Sequence, residues 1–480
     1  MSTRKSLFFS FLDRYASLAI SIIYSMVIAR LLTPGELGIF SVTMVLLGFV
    51  STVRDMGAGQ YLVQEKELTT DRIRAVWAVQ LGLGLGLACL VLLVSSPVAV
   101  FYNEPRMRNI MLVVAFNYAI NPFGSLTYAW LMREMQFEKV ALMRFLSSLG
   151  GALVAVWFAW KDFGPISLAF GSLTSTLVNA LMAARYRPES FPWLPGTKEI
   201  KRVLVFGSQL TFSSIVAVLA SSAPELILGK LQSLTAAGYF SRSNGLVQMI
   251  YRLFVDAVWS VCLPWFSQKN REQKSLAEPF IKATSYVTVF GWSFCLAVIF
   301  LAQPIIRLLY GDQWDQAVDL ARLLAIAMAF TVMASLSQAA LLSAGDVTTI
   351  ARVTIVSSVQ SVVLMAIGAS LGLMPLGVAA IVAAAISAGL WLKTTAKHLG
   401  TTLQDLLMSF WKSLQVALLS AIGPAIAYWE FGAYPKAIVM PLGIGFVISL
   451  AGFLIGVIAF DHPIKKELTT VWSKFRKTPA

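Results

Sequence analysis

The chain has 480 residues, of which 57% are hydrophobic and 13% are charged, and its formal net charge is +14. Soluble domains carry about 25% charged residues, so this composition excludes a soluble multidomain enzyme. Apolar stretches of about 20 residues, the length that a helix needs to cross a bilayer, recur along the whole chain. The sequence therefore predicts an all-α polytopic membrane protein.

Fourteen apolar spans are predicted, and short links containing Pro or Gly separate them. The spans cover approximately residues 7–31, 37–57, 75–99, 109–131, 141–160, 164–185, 202–227, 233–263, 280–301, 317–342, 347–370, 373–392, 411–429 and 437–460. The N-terminal segment is too long for a signal peptide and lacks a small-residue cleavage site. It is therefore predicted to be the first spanning helix.

The distribution of Lys and Arg predicts the orientation of these spans, because cytoplasmic loops are enriched in both. With the N-terminus in the cytoplasm, cytoplasmic segments carry 26 of these residues, outer segments carry 8, and 4 lie within spans. Both termini are then expected to be cytoplasmic. The same bias accounts for the positive net charge without a nucleic-acid partner.

Residues 29–41 and 229–241 resemble each other at an offset of 200. The matching pairs are Arg30 with Lys230, Leu31 with Leu231, Gly38 with Gly238, Phe40 with Phe240 and Ser41 with Ser241. Each copy joins two apolar spans, which predicts that a whole block of the chain is repeated. Such duplication is typical of transporters whose two pseudosymmetric halves enclose one pathway.

The repeat predicts four regions in the chain. They are an N-terminal six-helix lobe at 1–185, a Pro-rich basic linker at 186–201, a second six-helix lobe at 202–400, and two extra helices with a basic tail at 401–480. Both lobes begin inside, so the repeat is parallel, and the lobes are expected to surround a central cavity. A monomer is expected because one chain carries both lobes.

The sequence predicts neither a metal site nor a cofactor. The three cysteines (Cys89, Cys262 and Cys295) lie in or near apolar segments, and their spacing suggests no metal site or disulfide framework. The two histidines, His398 and His462, fall in predicted cytoplasmic segments. No soluble-type catalytic motif accompanies them.

Polar residues at membrane depth are the informative ones, because a charge there costs a few kcal/mol and usually faces water or a partner. Span one carries a polar stripe, and span seven carries a matching one. The stripes consist of Arg14, Ser17, Ser21, Tyr24 and Ser25 in span one, and Thr211, Ser214, Ser221, Ser222 and Glu225 in span seven. They predict two walls of a shared cavity, although such hydroxyls can instead bond their own backbone or neighbouring helices.

Span eight adds Arg242, Arg252 and Asp256 on one face. Arg252 and Asp256 are four residues apart and can form an ion pair, which is either a structural lock or part of a ligand site. Arg242 is the better candidate for an anionic group, because a guanidinium binds phosphate through paired hydrogen bonds. Arg54, at the end of span two, is a further cavity candidate, with snorkelling to the membrane surface as the alternative.

The deep candidates contain more Arg than acid, which favours an anionic cargo. Because Glu225 is an acidic residue within a span, a cation-coupled exporter is the alternative.

Five short motifs in order resemble the Wzx-type polysaccharide flippases of the multidrug/oligosaccharidyl-lipid/polysaccharide exporter superfamily. They are Leu-Gly-Ile-Phe-Ser at 37–41, Asp-Met-Gly at 55–57, Leu-Val-Gln-Glu-Lys-Glu-Leu-Thr at 62–69, Gly-Tyr-Phe-Ser-Arg-Ser at 238–243 and Tyr-Gly-Asp-Gln-Trp at 310–314. The resemblance covers nearly the whole chain, and the order and spacing of the motifs carry it.

This resemblance implies a transporter of the bacterial inner membrane that moves an undecaprenyl-diphosphate-linked oligosaccharide to the periplasmic leaflet by alternating access. The substrate would serve exopolysaccharide, capsule or O-antigen synthesis. Arginines on the cavity helices would neutralise the diphosphate. A polysaccharide polymerase and its chain-length machinery are the candidate protein partners, and membrane lipids surround the chain.

Two other functions are weighed against the flippase. A cation-coupled multidrug antiporter of the related branch would show isolated acidic residues near the membrane centre. A membrane enzyme such as a polymerase or ligase would need a large outer loop, whereas the longest one here covers about 302–316.

The paired segments 30–41 and 230–241 are expected at the outer ends of their helices, where contact through Gly38 and Gly238 would close an outer gate.

Overall fold

The structure, a computed structural model, describes residues 19–469 except 56, 57, 66, 190, 434, 436 and 468. Every regular element in these ranges is a helix, which confirms the predicted all-α class. The described residues divide into two compact units, one up to Gly238 and the other from Tyr239 onward. The predicted domain boundaries at 185, 201 and 400 remain predictions.

The first unit contains eight helices within the described ranges. They are α1 Ala19–Leu31, α2 Pro34–Asp55, α3 Ala58–Gln64, α4 Thr70–Tyr102, α5 Pro105–Arg133, α6 Phe137–Trp160, α7 Ile166–Tyr186 and α8 Ile200–Leu231. Helix α9, Leu234–Arg271, begins in this unit and continues into the second. Within the first unit, α5 packs against α4 and α7, α6 packs against α7, and α8 packs against α2 and α4.

The second unit continues with seven more α-helices. They are α10 Ala277–Tyr310, α11 Val318–Met333, α12 Ser337–Ser343, α13 Val347–Leu371, α14 Leu373–Leu399, α15 Leu403–Phe431 and α16 Val439–Ala459, with a 3₁₀ helix at Asp312–Ala317 before α11. Helix α10 packs against α11, α15 and α16, and α14 packs against α11 and α13. The C-terminal pair α15–α16 is thereby attached to the unit through α10.

Eleven helical stretches in the described part of the chain are long and apolar enough to cross a membrane. They include most of the predicted spans, and the shorter apolar helix α1 adds to them. The chain is a multi-pass membrane protein, whereas the count of fourteen spans stays a prediction.

The segment predicted as the linker folds onto the first unit. Phe191 is 3% exposed and joins a core cluster with residues of α3, α4, α5 and α8. The Trp77 indole N–H donates to the Trp193 carbonyl at 3.0 Å, and the Arg187 guanidinium lies 3.9 Å from the Trp193 ring centroid. Burial also lowers the pKa of Arg187. This cluster therefore anchors the segment to α4 rather than leaving it as a free connector.

The two repeated segments start their second helices in the same way. The Thr33 hydroxyl accepts from the Glu36 backbone N–H at 3.3 Å, and the Ser233 hydroxyl accepts from the Ala236 N–H at 3.0 Å. The Glu36 carboxylate in turn accepts a hydrogen bond from the Thr33 backbone N–H at 2.9 Å, and this second bond completes a capping box at the first copy. The sequence match at offset 200 is thus matched by equivalent helix caps.

Candidate functional site

A cavity of about 600 Å³ opens between helices α2, α3, α4, α5 and α7 of the first unit. We call it the amide cavity, because carboxamides make up much of its polar lining. Its lining residues are Arg54, Gly59, Gln60, Val63, Gln80, Asn121, Pro122, Ser125, Tyr128, Ala129, Met132 and Asn179. Arg54 is the charged residue among these twelve, and the other polar side chains are neutral amides and hydroxyls.

Arg54 is positioned by the aromatic ring beside it. Its guanidinium carbon lies 5.6 Å from the centroid of the Tyr118 ring, within range of a cation–π interaction. Tyr118 is 2% exposed, and its hydroxyl donates to the Leu47 carbonyl at 2.7 Å. Because α2 itself fixes the ring, the predicted candidate Arg54 is oriented as well as placed at the cavity.

Gln80 projects from α4 where that helix approaches α5 closely. A methyl group at Gly84 would lie 2.6 Å from the Tyr118 carbonyl oxygen and 2.7 Å from Pro122 Cγ, so glycine is needed for this approach. The Gln80 residue is 7% exposed, and its amide oxygen has no hydrogen-bond partner in the described structure. A buried, unpartnered acceptor of this kind costs about 1–3 kcal/mol.

The wall formed by α3 follows from the amphipathic pattern of that short helix. Tyr61 and Leu62 are buried in the core cluster, whereas Gln60 and Val63 are exposed and line the cavity. The Arg133 guanidinium donates to the Leu62 carbonyl at 2.8 Å and to the Glu65 carbonyl at 2.5 Å, and so caps the end of α3. The sequence motif at 62–69 therefore fixes one wall of the amide cavity.

A second cavity of about 290 Å³, the hydroxyl cavity, lies between α1, α2, α6 and α7. Its lining residues are Ile20, Ser21, Tyr24, Phe40, Met44, Ser148, Gly151, Ala152, Leu168, Gly171, Ser172 and Ser175. The predicted candidate Ser21 is among them, together with Tyr24 of the same stripe. The stripe on α1 thus faces a cavity, while Arg54 and Ser21 belong to different cavities.

The predicted glycine pair is in direct backbone contact. A methyl group at Gly38 would lie 1.7 Å from the Leu234 carbonyl oxygen, and one at Gly238 would lie 2.2 Å from the Pro34 carbonyl oxygen. The two contacts are equivalent at the offset of 200, since Pro34 corresponds to Leu234. Any side chain larger than hydrogen would separate the starts of α2 and α9.

Glu225 and Ser221 on α8 both take part in hydrogen bonds within the first unit. The Ser41 hydroxyl of α2 donates to a Glu225 carboxylate oxygen, which links α8 to α2. Ser221 is exposed, and its hydroxyl donates to the Val218 carbonyl of its own helix at 3.1 Å. Ser221 thus bonds the backbone of its own helix, which was the alternative to a cavity-lining role for the polar stripe of span seven.

Arg242 of α9 lies among aromatic rings in the second unit. Its guanidinium carbon is 5.5 Å from the Tyr310 ring centroid and 5.8 Å from that of Trp314. Both rings belong to the predicted motif at 310–314, so the structure brings two sequence motifs together.

Ser25, another predicted candidate, is partly buried on α1. Arg14 and the side chains of Arg252 and Asp256 lie outside the described residues.

Sequence reasoning missed most of the amide cavity. It looked for charges in the spans and therefore passed over Gln80, Asn121 and Asn179, one on each of α4, α5 and α7. A signal was available, because a carboxamide in three neighbouring spans is uncommon in lipid-facing helices. What was not available is the side of each helix that faces the others.

Comparison with known proteins agrees with this architecture. A family described as "Polysaccharide biosynthesis protein" matches residues 27–319. The succinoglycan biosynthesis transport protein ExoT of Rhizobium meliloti (strain 1021) is 24% identical over 66% of this chain and 64% of its own length. The lipopolysaccharide biosynthesis protein WzxC of Escherichia coli (strain K12) is 20% identical over 64% of this chain and 63% of its own. The alignments thus span slightly less than two thirds of either relative.

Solved structures show the same fold. The lipid II flippase MurJ, in an inward closed conformation, superposes with a TM-score of 0.76 and 15% identity, covering 94% of this chain and 99% of MurJ. An inward-facing multidrug resistance MATE family transporter of the MOP superfamily gives a TM-score of 0.63 and 14% identity, covering 80% of this chain and 94% of that one. The resemblance drawn from the sequence motifs is confirmed. Because the family match extends over more than half of the sequence, the chain belongs to this family of polysaccharide biosynthesis proteins.

Proposed function

We propose that this protein is a flippase that moves an undecaprenyl-diphosphate-linked oligosaccharide from the cytoplasmic to the periplasmic leaflet of a bacterial inner membrane. Family membership supports a role in polysaccharide biosynthesis, and one of the relatives, ExoT, is named for transport in that process. The lipid tail would remain in the bilayer while the polar headgroup crosses through the protein by alternating access. This is transport and not enzymatic conversion of the substrate.

The observation that carries the proposal is the position of Arg54 in the amide cavity. Arg54 lies in the last turn of α2 and is the charged residue among the twelve that line the cavity, where the other polar groups are neutral. A guanidinium in a membrane protein interior binds a diphosphate through paired, charge-assisted hydrogen bonds. By the Lys and Arg distribution, this end of α2 is the cytoplasmic end, where the substrate would be loaded.

Arg54→Ala tests this proposal in a strain that lacks its own exporter. Polymer export should fall at least about tenfold, since a charged hydrogen bond contributes about 1.5–3 kcal/mol. Arg54→Lys should retain part of the export, because the charge remains while the paired geometry is lost. Arg108→Ala is the matched control, since Arg108 is an exposed arginine on α5. Export that survives Arg54→Ala unchanged would contradict the assignment.

A cation-coupled multidrug antiporter is the second candidate function, and the partly buried Glu225 favours it. An exchanger needs an acidic group that a proton or cation can occupy, and Glu225 could serve in that way. Glu225→Gln should then abolish drug resistance in a sensitive strain. Normal polymer export in the same variant, with resistance lost, would favour this second function over the flippase.

The contact of the paired glycines is proposed as the outer gate. Transport would require α2 and α9 to part at this point and close again. A methyl group at Gly35 would lie 3.1 Å from Thr235 Oγ1, so cysteines at these two positions should crosslink readily. The crosslink, made in a chain whose native cysteines are replaced by alanine, should stop transport, and reduction should restore it. Full transport with the crosslink formed would rule out the gate.

A further inference from the structure

The segment between α7 and α8 presents two large apolar side chains outward. We call residues 185–202 the anchor segment, which is the predicted linker with one residue added at either end. Within it, Trp193 is 65% exposed and the adjacent Leu194 is 72% exposed. Covering apolar surface of this kind is favourable, and adjacent exposed apolar side chains mark a site of interaction with a partner or a membrane.

The backbone on both sides of Leu194 is fixed to α4. The Trp193 carbonyl accepts from the Trp77 indole, and the Gly196 N–H donates to the Arg74 carbonyl at 3.1 Å. A methyl group at Gly196 would lie 2.9 Å from Arg74 Cβ, so the segment rests directly on the helix. The outward orientation of Trp193 and Leu194 is therefore set by the fold of the first unit.

The contacts of Trp77 place the anchor segment on the lipid-facing side of α4 and α5. The Trp77 ring meets the Phe123 ring edge-on at 5.4 Å, and Phe123 is 44% exposed. Phe123 lies about 160° around α5 from Asn121, which lines the amide cavity, so it faces away from that cavity and toward lipid. The Arg187 guanidinium contacts the same Trp77 ring and the Trp193 ring, at 5.3 and 3.9 Å from their centroids.

The anchor segment lies at the level where the membrane surface is expected. Trp77 is the eighth residue of α4, so it lies about 10 Å along the helix from Thr70. By the Lys and Arg distribution, this end of α4 is the cytoplasmic end. Tryptophan is enriched at this level of membrane proteins, because its ring has both an apolar body and a polar N–H group. Trp193 therefore has the position and the chemistry of an interfacial residue.

The charge of the anchor segment complements an anionic surface. The segment contains five basic and two acidic residues, which are Arg185, Arg187, Lys198, Lys201, Arg202, Glu189 and Glu199. Arg185, Lys198 and Lys201 are exposed. Lys198 lies 3.5 Å from Asp71, but these side chains are 81% and 45% exposed, and a pair of that kind is weak. The exposed cations can therefore bind phosphate oxygens at the membrane surface.

We propose that the anchor segment is a binding surface for anionic phospholipids. Trp193 and Leu194 insert among the lipid headgroups, and the exposed cations Arg185, Lys198 and Lys201 bind the phosphates. The apolar pair and the cations act together, since stable attachment to a membrane surface generally takes two such signals. This inference does not depend on the cargo and goes beyond the proposed function. It makes the attachment of the first unit to the membrane surface depend on the charge of the surrounding lipids.

Quenching by spin-labelled lipids tests the insertion. The fluorophore NBD would be attached to Leu194→Cys in the full chain in nanodiscs, with the three native cysteines replaced by alanine. Phosphatidylcholine with a nitroxide near the headgroup end of its acyl chain should remove most of the fluorescence of this label. NBD at Glu272→Cys is the matched control and should keep its fluorescence, because Glu272 is exposed in the turn after α9. Trp193→Ser should lower the quenching at residue 194, whereas Trp193→Phe should keep most of it.

Spin-labelled phosphatidylglycerol tests the preference for an anionic headgroup. At equal mole fraction, it should associate with the label at residue 194 at least about fivefold more strongly than spin-labelled phosphatidylcholine. This ratio is the contribution of about one Lys or Arg near an anionic surface. Lys198→Gln/Lys201→Gln should remove most of the preference, and high salt should reduce it. Arg271→Gln/Lys274→Gln is the matched control, since both residues are exposed cations of the second unit, and it should leave the preference unchanged.

The inference is overturned if the label at residue 194 is quenched no more than the label at residue 272, or if Trp193→Ser leaves the quenching unchanged. Equal association of the two lipids overturns it as well, and so does a preference that survives Lys198→Gln/Lys201→Gln. These variants should keep the thermal stability of the wild type, because they change exposed side chains and Trp77 bonds the backbone carbonyl of Trp193. Neither readout uses export, so the failure of the anchor and the failure of the flippase proposal are distinguishable.

Discussion

Two buried polar clusters, one in each unit, differ in whether their hydrogen bonds are complete. In the second unit, His462 is 1% exposed and its Nε2 lies 2.9 Å from the Ser285 hydroxyl and 3.1 Å from that of Ser413. In the first unit, Gln80 is 7% exposed and its amide oxygen has no partner. A completed cluster stabilises the helices it joins, whereas an incomplete one leaves the cost of burying a polar group uncompensated.

The His462 cluster has the features of structural packing. The Ile464 backbone N–H donates to His462 Nδ1 at 3.2 Å, so Nε2 carries the ring proton and donates to a serine. Ser285 lies on α10 and Ser413 on α15, and the Thr288 hydroxyl lies 3.0 Å from that of Ser413. The cluster therefore ties the C-terminal helices to α10 just beyond the end of α16.

The largest effect is expected from His462→Ala. It removes the ring that joins α10 to α15 and leaves a cavity with the Ser285 hydroxyl unpaired, so the free energy of unfolding should fall by about 3–4 kcal/mol. His398→Ala is the matched control, because His398 is partly exposed and pairs with Asp346 across 3.3 Å. That change should cost less than about 1 kcal/mol. If His462→Ala and His398→Ala lowered the free energy of unfolding in detergent equally, the His462 cluster would not be a stabilising cluster of the kind described.

The next largest effect is a loss of stability in acid. Burial, with a smaller contribution from Lys412, lowers the pKa of His462 to about 4. The unfolded chain, with a histidine pKa of about 6.5, binds the proton more readily, so stability falls as the pH drops from about 6.5 to 4, by about 3 kcal/mol. Unfolding measured across this range should show the slope, and His462→Gln should flatten it. A wild-type curve with the same slope as His462→Gln would show that His462 is not its source.

A smaller effect of opposite sign is expected at the amide cavity. Gln80→Met removes an unpartnered amide, so the ligand-free protein should gain about 1 kcal/mol of unfolding free energy. Ser413→Ala, which breaks a completed cluster, should lose about 1 kcal/mol in the same assay. A loss of stability in Gln80→Met would mean that its polar group is satisfied, and the distinction between the two clusters would fail.

The smallest effect is expected at the ionic contact beside the amide cavity. Glu65 accepts from Arg72 of α4 at 3.5 Å and from Arg202 of α8 at 3.2 Å, and both arginines remain at least partly in contact with solvent. Glu65→Gln should lower stability by about 0.5–1 kcal/mol, and high salt should reduce the difference. Glu134→Gln, at an exposed position after α5, should have no measurable effect. A loss above about 2 kcal/mol would show that the contact is more buried than its arginines indicate.

Local features of the fold could be predicted from the sequence. Thr33 and Ser233 stand where helix N-caps are expected, and both cap the helices that follow. The contact between Gly38 and Gly238 was also expected from the repeat. Such features depend on residues within a few positions or on an internal match, so a linear sequence carries them.

The packing of the linker and the amide cavity could not be predicted in this way. Phe191 and Trp193 look like parts of a Pro-rich polar loop, yet Trp193 meets Trp77 across a separation of 116 residues. Gln80, Asn121 and Asn179 become one cavity only when α4, α5 and α7 pack together. The pattern of apolar residues in a span does not show which side of the helix faces a neighbouring helix, because the lipid and the interior of a helix bundle are equally apolar.

The sequence by itself determined that this is an all-helical membrane protein, that two of its segments match at an offset of 200 residues, and that it resembles polysaccharide flippases. These properties follow from apolar length, charge distribution and motif order, all of which are linear. The tertiary structure alone decided which polar side chains share a cavity and which complete their hydrogen bonds. The reason is physical, since hydrogen-bond satisfaction depends on three-dimensional neighbours, and only helix packing sets those.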